Sequence, residues 1–251
     1  MRLRNILTSK PSKSKIAKQN LLLLKVLSLM LALLFFNFLS IKYTSNGLAQ
    51  VFKMNYQESN PYYIIVDLDD YTVNVFKDNE LYKQYLCSGG KYSTPSPIGT
   101  WSIISKADWG EGFGGTWMGF NVPWGKYGFH GTDEPWSIGH PGSEGCIRMY
   151  NEDAADLKSY IPHGTKVKII KGPYGPFGSG FRTIRPGHIG SDVYAVQMRL
   201  KELGYYQGWV DGKYGQGFHN AINKFQKDHN LPESQYITGP MYKAMGFELF
   251  E

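Results

Sequence analysis

The chain has 251 residues, of which 27 are Lys or Arg and 21 are Asp or Glu, so its formal net charge is +6. That charge would suit a nucleic-acid-binding protein, but eight of the basic residues and none of the acidic ones lie before residue 50. The remainder holds 19 basic and 21 acidic residues, a net charge of −2. No basic surface that follows a phosphate backbone is expected from this balance, so nucleic acid is excluded as the expected partner.

The N-terminus combines a basic arm, residues 1–20, with an apolar run over residues 21–41. About 20 apolar residues span a bilayer, and a basic flank stays in the cytoplasm. The pattern therefore predicts a single-pass anchor in the cell membrane, with the rest of the chain on the extracytoplasmic face. A cleaved signal peptide is the alternative, because residues 47–49 form a small-x-small pattern, although beyond the apolar run. Residues 42–61 are predicted to be a linker.

Runs of aromatic and β-branched residues predict strands in the next part of the chain. These strands are expected at 62–66, 71–76, 81–87 and 101–104. Asp67, Asp69 and Asp70 fall at the first connection, where they would form a metal site, an acid–base site or a solvated turn. Their hairpin position favours the turn.

Residues 109–128 interleave many glycines with aromatic residues, among them Trp124 and Tyr127. The glycine content predicts no regular element here. Two interpretations remain open: the segment forms a wall or lid over a cleft, or its aromatic side chains fill one end of the β core.

A thiol and an imidazole stand in neighbouring glycine-containing turns: His130 precedes Gly131, and Cys146 follows Gly145. Such a pair can perform acyl transfer, because the imidazole accepts the thiol proton and the thiolate attacks a carbonyl. The glycines allow a substrate to approach the backbone closely. The amides of Gly145 and Cys146 are the expected donors to the oxyanion.

Cys87 fits the more common role of a cysteine as a small buried apolar residue, because it ends a predicted strand. A Cys87–Cys146 disulfide would consume the nucleophile, so both cysteines are predicted to be free thiols. His130, His140 and Cys146 lack the ligand clustering of a zinc site. No metal and no other cofactor is predicted.

The residues around this pair resemble the signature of the YkuD-type L,D-transpeptidase catalytic domain. The resemblance rests on HGT at 130–132, SIG at 137–139, SEGCIRM at 143–149 and, upstream, SGG at 88–90 and TPSPIGT at 94–100. It implies an α+β protein whose catalytic domain, residues 62–171, is a mostly-β sandwich with one short helix. Glu144 departs from the His that is frequent there. Its carboxylate either raises the pKa of Cys146 or points to solvent.

The resemblance also implies a function, the cross-linking of peptidoglycan stem peptides. Cys146 would attack the third residue of a tetrapeptide stem and release D-alanine, and an amine of a neighbouring stem would capture the thioester. His130 would be the acid–base group, oriented by the carbonyl of Gly131. The alternatives are a carboxypeptidase or endopeptidase that hydrolyses the same bond, and a non-catalytic cell-wall-binding protein.

Four further residues are candidates for substrate binding: Arg148, Ser143, Trp124 and Tyr127. Arg148 would bind a stem carboxylate with two parallel hydrogen bonds, or form a structural ion pair. Ser143 is also expected to form hydrogen bonds within the nucleophile turn.

The remaining elements are a helix that Asn151 caps, a strand at 165–170, a Gly- and Pro-rich linker at 172–183 and a helical domain at 184–247. In the last, helical spacing predicts a helix from an N-cap at Ser191 to Gly204 and a second helix at 219–229. Residues 190–193, 200–206, 210–212 and 225–227 resemble the small three-helix peptidoglycan-binding domain. Cell-wall association is the implied consequence.

Overall fold

The computed structural model describes residues 60–247. The predicted anchor or signal segment, residues 21–41, lies outside these residues. None of the helices between residues 60 and 247 is both long and apolar enough to cross a membrane.

The first three strands form an antiparallel meander at one edge of the main sheet: β1 (Tyr62–Asp67), β2 (Thr72–Lys77) and β3 (Glu80–Leu86). Their predicted positions are confirmed to within one residue at each end. Alternate residues of β1 and β2 are buried, as expected for strands that cover a core. Asp78 and Asn79 connect β2 to β3 with φ values of 52° and 69°, which Asp and Asn tolerate in two-residue hairpin turns.

The acidic residues at the end of β1 and directly after it make turn hydrogen bonds. Asp67 Oδ1 accepts from the amide of Asp69 at 2.9 Å and from the amide of Asp70 at 3.3 Å. Asp69 Oδ2 accepts from the amide of Gly172 at 2.6 Å. Their interpretation as turn residues is confirmed.

The other strands complete a mostly-β unit. They are β4 (Gly89–Gly90), β5 (Gly99–Ala107), β6 (Trp117–Phe120), β7 (Gly128–His130), β8 (Pro141–Ser143), β9 (Ile147–Arg148) and β10 (Lys166–Ile170). Eight strands form one sheet in the order β3-β2-β1-β10-β5-β6-β7-β9, and β4 pairs with β8. The first half of β5 pairs with β10 and its second half with β6. Both halves of the sheet supply residues to one core, so the expected sandwich is a continuous sheet that folds over a shared interior.

The prediction of no regular element in residues 109–128 is wrong. The segment contains a short 3-10 helix (Glu111–Phe113) and β6, whose four residues are all buried. Gly119 lies within β6, where an added Cβ would be 2.5 Å from Ser105 Oγ. The glycine therefore serves close packing between strands, which a local composition cannot distinguish from a loop.

One α-helix belongs to the β unit, α1 (Asn151–Tyr160), and it buries Ala154 and Leu157. The residue before its first turn is Tyr150, and no side chain caps the helix. The capping role expected of Asn151 is therefore wrong, because its side chain serves the neighbouring site.

The C-terminal part contains three helices: α2 (Ser191–Glu202), α3 (Gln216–Asp228) and α4 (Gly239–Ala244). They share a separate hydrophobic core. The residue at the N-cap of α2 is Gly190 rather than Ser191, which is the first helical residue. Gly204 follows the end of α2 with φ +81°, a left-handed conformation that favours glycine after a helix.

Residues 172–183, predicted to be a linker, are packed against the helical core. They include a short 3-10 helix (Gly175–Phe177). Phe181 stacks on Tyr242 with ring centroids 4.6 Å apart, and Phe177 lies 5.4 Å from the same ring. The glycines thus alternate with aromatic residues that fix the segment to the helices.

Candidate active site

The strand register places His130 beside Arg148, next to the turn that carries Cys146. β7 and β9 run parallel, with Phe129 opposite Ile147 and His130 opposite Arg148. Phe129 and Ile147 are completely buried in the core. Because side chains alternate along strands, His130 and Arg148 face the other side, and Cys146 lies in the turn that leads directly into β9.

The His130 ring is held by the backbone of the next residue. Its Nδ1 lies 2.5 Å from the carbonyl oxygen of Gly131. Since a carbonyl only accepts, Nδ1 carries the hydrogen and the lone pair is on Nε2. The acceptor expected from the resemblance is therefore in place.

Aromatic side chains cover His130, which is 5% exposed. Its ring centroid lies 4.9 Å from that of Phe113 and 6.2 Å from that of Trp117. Burial lowers the pKa of His130, and the charge of Arg148 lowers it further, against the opposing hydrogen bond to Gly131. The ring is therefore neutral at neutral pH.

Cys146 is partly exposed, whereas Cys87 is completely buried. Burial raises the pKa of the Cys146 thiol, while the amide of Gly128 and the charge of Arg148 act in the opposite direction. The resting pair is thus a neutral thiol and a neutral imidazole. Desolvation penalises the charged form of each group.

Ser143 closes the turn that carries Cys146. Its side chain is buried, its Oγ donates to the carbonyl of Cys146 at 2.6 Å, and it accepts from the amide of Gly145 at 3.0 Å. The expected hydrogen bonds within the turn are present. Both bonds are internal, so the hydroxyl is engaged away from the substrate role also considered for it.

Gly145 adopts φ +108°, and a Cβ there would lie 2.7 Å from Tyr127 Cε1 and 3.2 Å from the carbonyl of Pro95. The position therefore requires glycine. Its amide is already bonded to Ser143, which is a correction to its expected role as an oxyanion donor. The Cys146 amide is the remaining member of the expected pair.

Glu144 is turned towards Lys91, with Nζ and Oε1 2.6 Å apart. That hydrogen bond lowers the pKa of Glu144. Both side chains are at least half exposed. Of the two interpretations of this residue, the geometry favours a solvent-facing ion pair over a charge directed at Cys146.

Arg148 forms an ion pair, with Nη1 2.6 Å from Glu134 Oε2. Its side chain is only 20% exposed. The structure thus favours the ion-pair interpretation, and it adds that the guanidinium charge acts on both members of the Cys146–His130 pair.

Tyr127 contacts the nucleophile turn, and Trp124 contacts the C-terminal helices. The ring of Tyr127 packs against Gly145. Trp124 packs beside it, with its ring centroid 6.5 Å from that of Tyr127 and 5.5 Å from that of Tyr194 on α2. Their role in substrate binding stays a prediction.

Asn151 belongs to the site, although the sequence indicated only a helix cap. Its Oδ1 accepts from the amide of Thr132 at 2.7 Å. A Cβ on Gly131 would lie 2.3 Å from the same oxygen, so helix α1 presses this side chain against the loop after His130. No local signal separates this role from capping, because both place Asn at a helix start.

Among the residues that the structure describes, no three His, Cys, Asp or Glu side chains are grouped as metal ligands. His140 contributes its backbone carbonyl, which accepts from Ser88 Oγ at 2.6 Å.

Two protein families match the chain. Residues 61–169 match the L,D-transpeptidase catalytic domain, YkuD, and residues 189–245 match the putative peptidoglycan binding domain. The putative L,D-transpeptidase YkuD of Bacillus subtilis (strain 168) is 39% identical over 110 residues, which is 43% of this chain and 66% of that protein. The chain thus spans slightly less than two thirds of this relative.

A second curated relative and a solved structure are similar to the same region. The putative L,D-transpeptidase YqjB of Bacillus subtilis (strain 168) is 34% identical over 123 residues, which is 43% of this chain and 70% of that protein. An L,D-transpeptidase structure from Mycobacterium smegmatis is 23% identical, with a TM-score of 0.38, and the match covers 43% of this chain and 58% of that chain.

Proposed function

Because the chain belongs to the YkuD family of L,D-transpeptidases, we propose that it cross-links peptidoglycan stem peptides through a thioester on Cys146. The observation that carries the proposal is the fixed tautomer of His130. Its Nδ1 hydrogen is held by Gly131, so the basic Nε2 is left free to accept the proton that the reaction requires.

In the first half-reaction, Cys146 gives its proton to His130 Nε2 as sulfur attacks the carbonyl carbon of the third stem residue. The C–N bond to the terminal D-alanine then breaks, and the imidazolium returns the proton to the leaving amine. The products are a thioester and free D-alanine. Proton transfer accompanies attack because the resting thiol and imidazole are both neutral.

In the second half-reaction, the side-chain amine of a neighbouring stem attacks the thioester. His130 accepts a proton from this amine and gives it to the departing sulfur, which regenerates the thiol. The Cys146 amide donates to the oxyanion in both steps, and each such donor contributes about 3–4 kcal/mol of transition-state stabilisation in comparable acyl transfers. The Gly145 amide instead holds the turn in shape.

The test is incubation of the full-length protein with a disaccharide tetrapeptide stem, followed by mass spectrometry. A cross-linked dimer with release of D-alanine supports the proposal. Tripeptide without dimer would identify the hydrolytic alternative. Neither product, in a protein whose Cys146 still alkylates, would overturn it. Cys146→Ala and His130→Ala are expected to be inactive, while Cys87→Ala serves as the thiol control.

We propose the same protein to be held at the cell wall by its C-terminal helices, consistent with the family match over residues 189–245. Residues 21–41 would anchor it as a single-pass segment in the cell membrane, with residues 62–171 and 184–247 as its two domains. Cell fractionation tests the anchor. Release of the protein by salt alone, without detergent, would contradict it.

A further inference from the structure

A cleft opens between the β unit and the C-terminal helices. It has a volume of 250 Å³. One wall comes from the β unit, including Thr94, Tyr127 and Glu144. The other wall is the start of α2 with the residue before its N-cap, Ile189 to Ser191.

This cleft begins at the nucleophile turn. Glu144 lies two residues before Cys146, and the ring of Tyr127 packs on Gly145. Burial raises the pKa of Tyr127, a hydrogen bond with Trp124 lowers it, and proximity to Cys146 raises it. The cleft therefore borders the turn that carries Cys146.

A second cavity of 340 Å³ continues the cleft. The two share five lining residues, two on the β unit and three on the helical part: Pro95, Ser96, Ile189, Gly190 and Ser191. The second cavity also contains Lys91, Lys171 and Arg182. Together the cavities have the size of a small-ligand site of roughly 300–1,000 Å³.

The charges in this groove suit a peptide that carries carboxylates. Lys91 is paired with Glu144 and Arg182 with Asp192. Lys171 has no ion-pair partner among residues 60–247. A stem peptide has carboxylate groups along an extended backbone, so it matches both the cationic end and the hydroxyl-bearing walls.

The helical wall is fixed in place by aromatic packing. Tyr194 of α2 lies 5.4 Å from Trp101 and 5.5 Å from Trp124, measured between ring centroids. Gly212 allows the same Trp124 ring to approach, because an added Cβ would lie 2.4 Å from its Cε3. The wall is thus positioned by contacts independent of any ligand.

We propose that the C-terminal helices complete the substrate site, with the peptide part of a stem bound in the groove between Tyr127 and Ile189–Ser191. This inference rests on the proposed function and adds to it a role for the C-terminal part beyond attachment to the wall.

The test introduces bulk into the helical wall. In Ser191→Trp the indole fills the groove, and Ile189→Trp repeats the test at a side chain that is 53% exposed. Lys201→Trp is the matched control, an exposed position on the same helix. Each full-length variant is assayed with a soluble tetrapeptide stem, which requires no binding to intact wall, and its Cys146 is alkylated with iodoacetamide.

We expect Ser191→Trp and Ile189→Trp to raise KM at least about tenfold with little change in kcat. Their alkylation rates should stay within about twofold of the parent, because iodoacetamide is small enough to reach Cys146 without the groove. The control should resemble the parent in both measurements. Unchanged KM in both Ser191→Trp and Ile189→Trp would overturn this inference and would leave the proposed function untouched.

A binding measurement separates this inference from the chemistry. Cys146→Ala is titrated with the tetrapeptide by calorimetry, alone and combined with Ser191→Trp. Binding that the second substitution abolishes supports the groove even where the parent shows no turnover, an outcome that would overturn only the proposed reaction. Equal binding by both proteins would exclude the groove.

Discussion

Ser143 Oγ lies 2.6 Å from the carbonyl oxygen of Cys146 and 3.0 Å from the amide nitrogen of Gly145. The serine side chain is buried, so its hydroxyl is shielded from water. One hydroxyl therefore closes the turn that presents the candidate nucleophile.

Ser143→Ala should lower both stability and activity. It leaves the carbonyl of Cys146 and the buried amide of Gly145 without their partner, which costs about 1–3 kcal/mol of unfolding free energy. A displaced Cys146 should reduce kcat at least about tenfold. Denaturant unfolding and the stem assay measure the two effects. Ser159→Ala is the control, since its Oγ bonds the carbonyl of Asp156 on an exposed helix face. Equal effects of Ser143→Ala and Ser159→Ala would contradict the proposal that Ser143 holds the turn that carries Cys146.

Gly145→Ala should be damaging for two separable reasons. A left-handed φ costs a non-glycine residue about 1–2 kcal/mol, and the new Cβ would also collide with Tyr127. Gly164→Ala isolates the first cause, because Gly164 has φ +85° and open space around its Cβ position. We expect the loss of unfolding free energy to be larger for Gly145→Ala, with loss of acylation in that variant only. Similar unfolding curves for Gly145→Ala and Gly164→Ala would contradict this expectation, because they would mean that the Tyr127 ring moves away from the added Cβ.

Asn151→Ala should disturb the loop after His130. The Thr132 amide loses its acceptor, so kcat should fall and the unfolding free energy should decrease by about 1–3 kcal/mol. Asn151→Asp keeps an acceptor oxygen and should recover most of the activity. If Asn151 were a helix cap instead, Asn151→Ala would lower the unfolding free energy and would leave kcat unchanged. Kinetics of the two variants, with helix content by circular dichroism, decide between these outcomes.

Arg148→Ala should shift the pH dependence of the reaction upwards. The Arg148 charge lowers the pKa of His130 and that of Cys146, so its removal raises both. The acid limb of kcat/KM reports protonation of His130 and should lie below about pH 6.5 in the parent. In the variant it should move to higher pH, together with the midpoint of Cys146 alkylation. Glu134→Gln is the control, because it removes the partner and retains the arginine. An acid limb of kcat/KM that stays at the same pH or moves to lower pH in Arg148→Ala would contradict this expectation.

The two thiols should differ in reactivity. Burial raises the pKa of Cys87 to about 12, and the side chain is completely covered, whereas Cys146 is partly exposed. Iodoacetamide at neutral pH should therefore modify Cys146 alone, and both thiols only after unfolding. Peptide mapping of the parent, with Cys87→Ala and Cys146→Ala, measures this. Modification of Cys87 in the folded protein at a comparable rate would contradict the buried position.

The sequence indicated the proposed chemistry because the residues proposed to perform it lie in one short segment. His130 and Cys146 stand in neighbouring turns of the chain, and each lies next to a glycine. The strands β1 to β3 and the helices α2 and α3 were also predictable, since alternating and helical apolar periods arise from the burial of one face. Their end residues differ by a few positions, as at Gln216, where no side chain caps the helix.

Only the tertiary structure decided which residues contact each other across the fold and how their side chains are oriented. Sequence pattern does not show that Ser143 occupies the Gly145 amide, that Asn151 supports Thr132, or that β6 is a strand despite its glycine. Nor does it show that desolvation leaves Cys146 and His130 neutral, or that Ile189 faces Tyr127 across a groove. Hydrogen-bond partners and desolvation depend on which atoms meet in space, whereas sequence periodicity reports only which face of an element is buried.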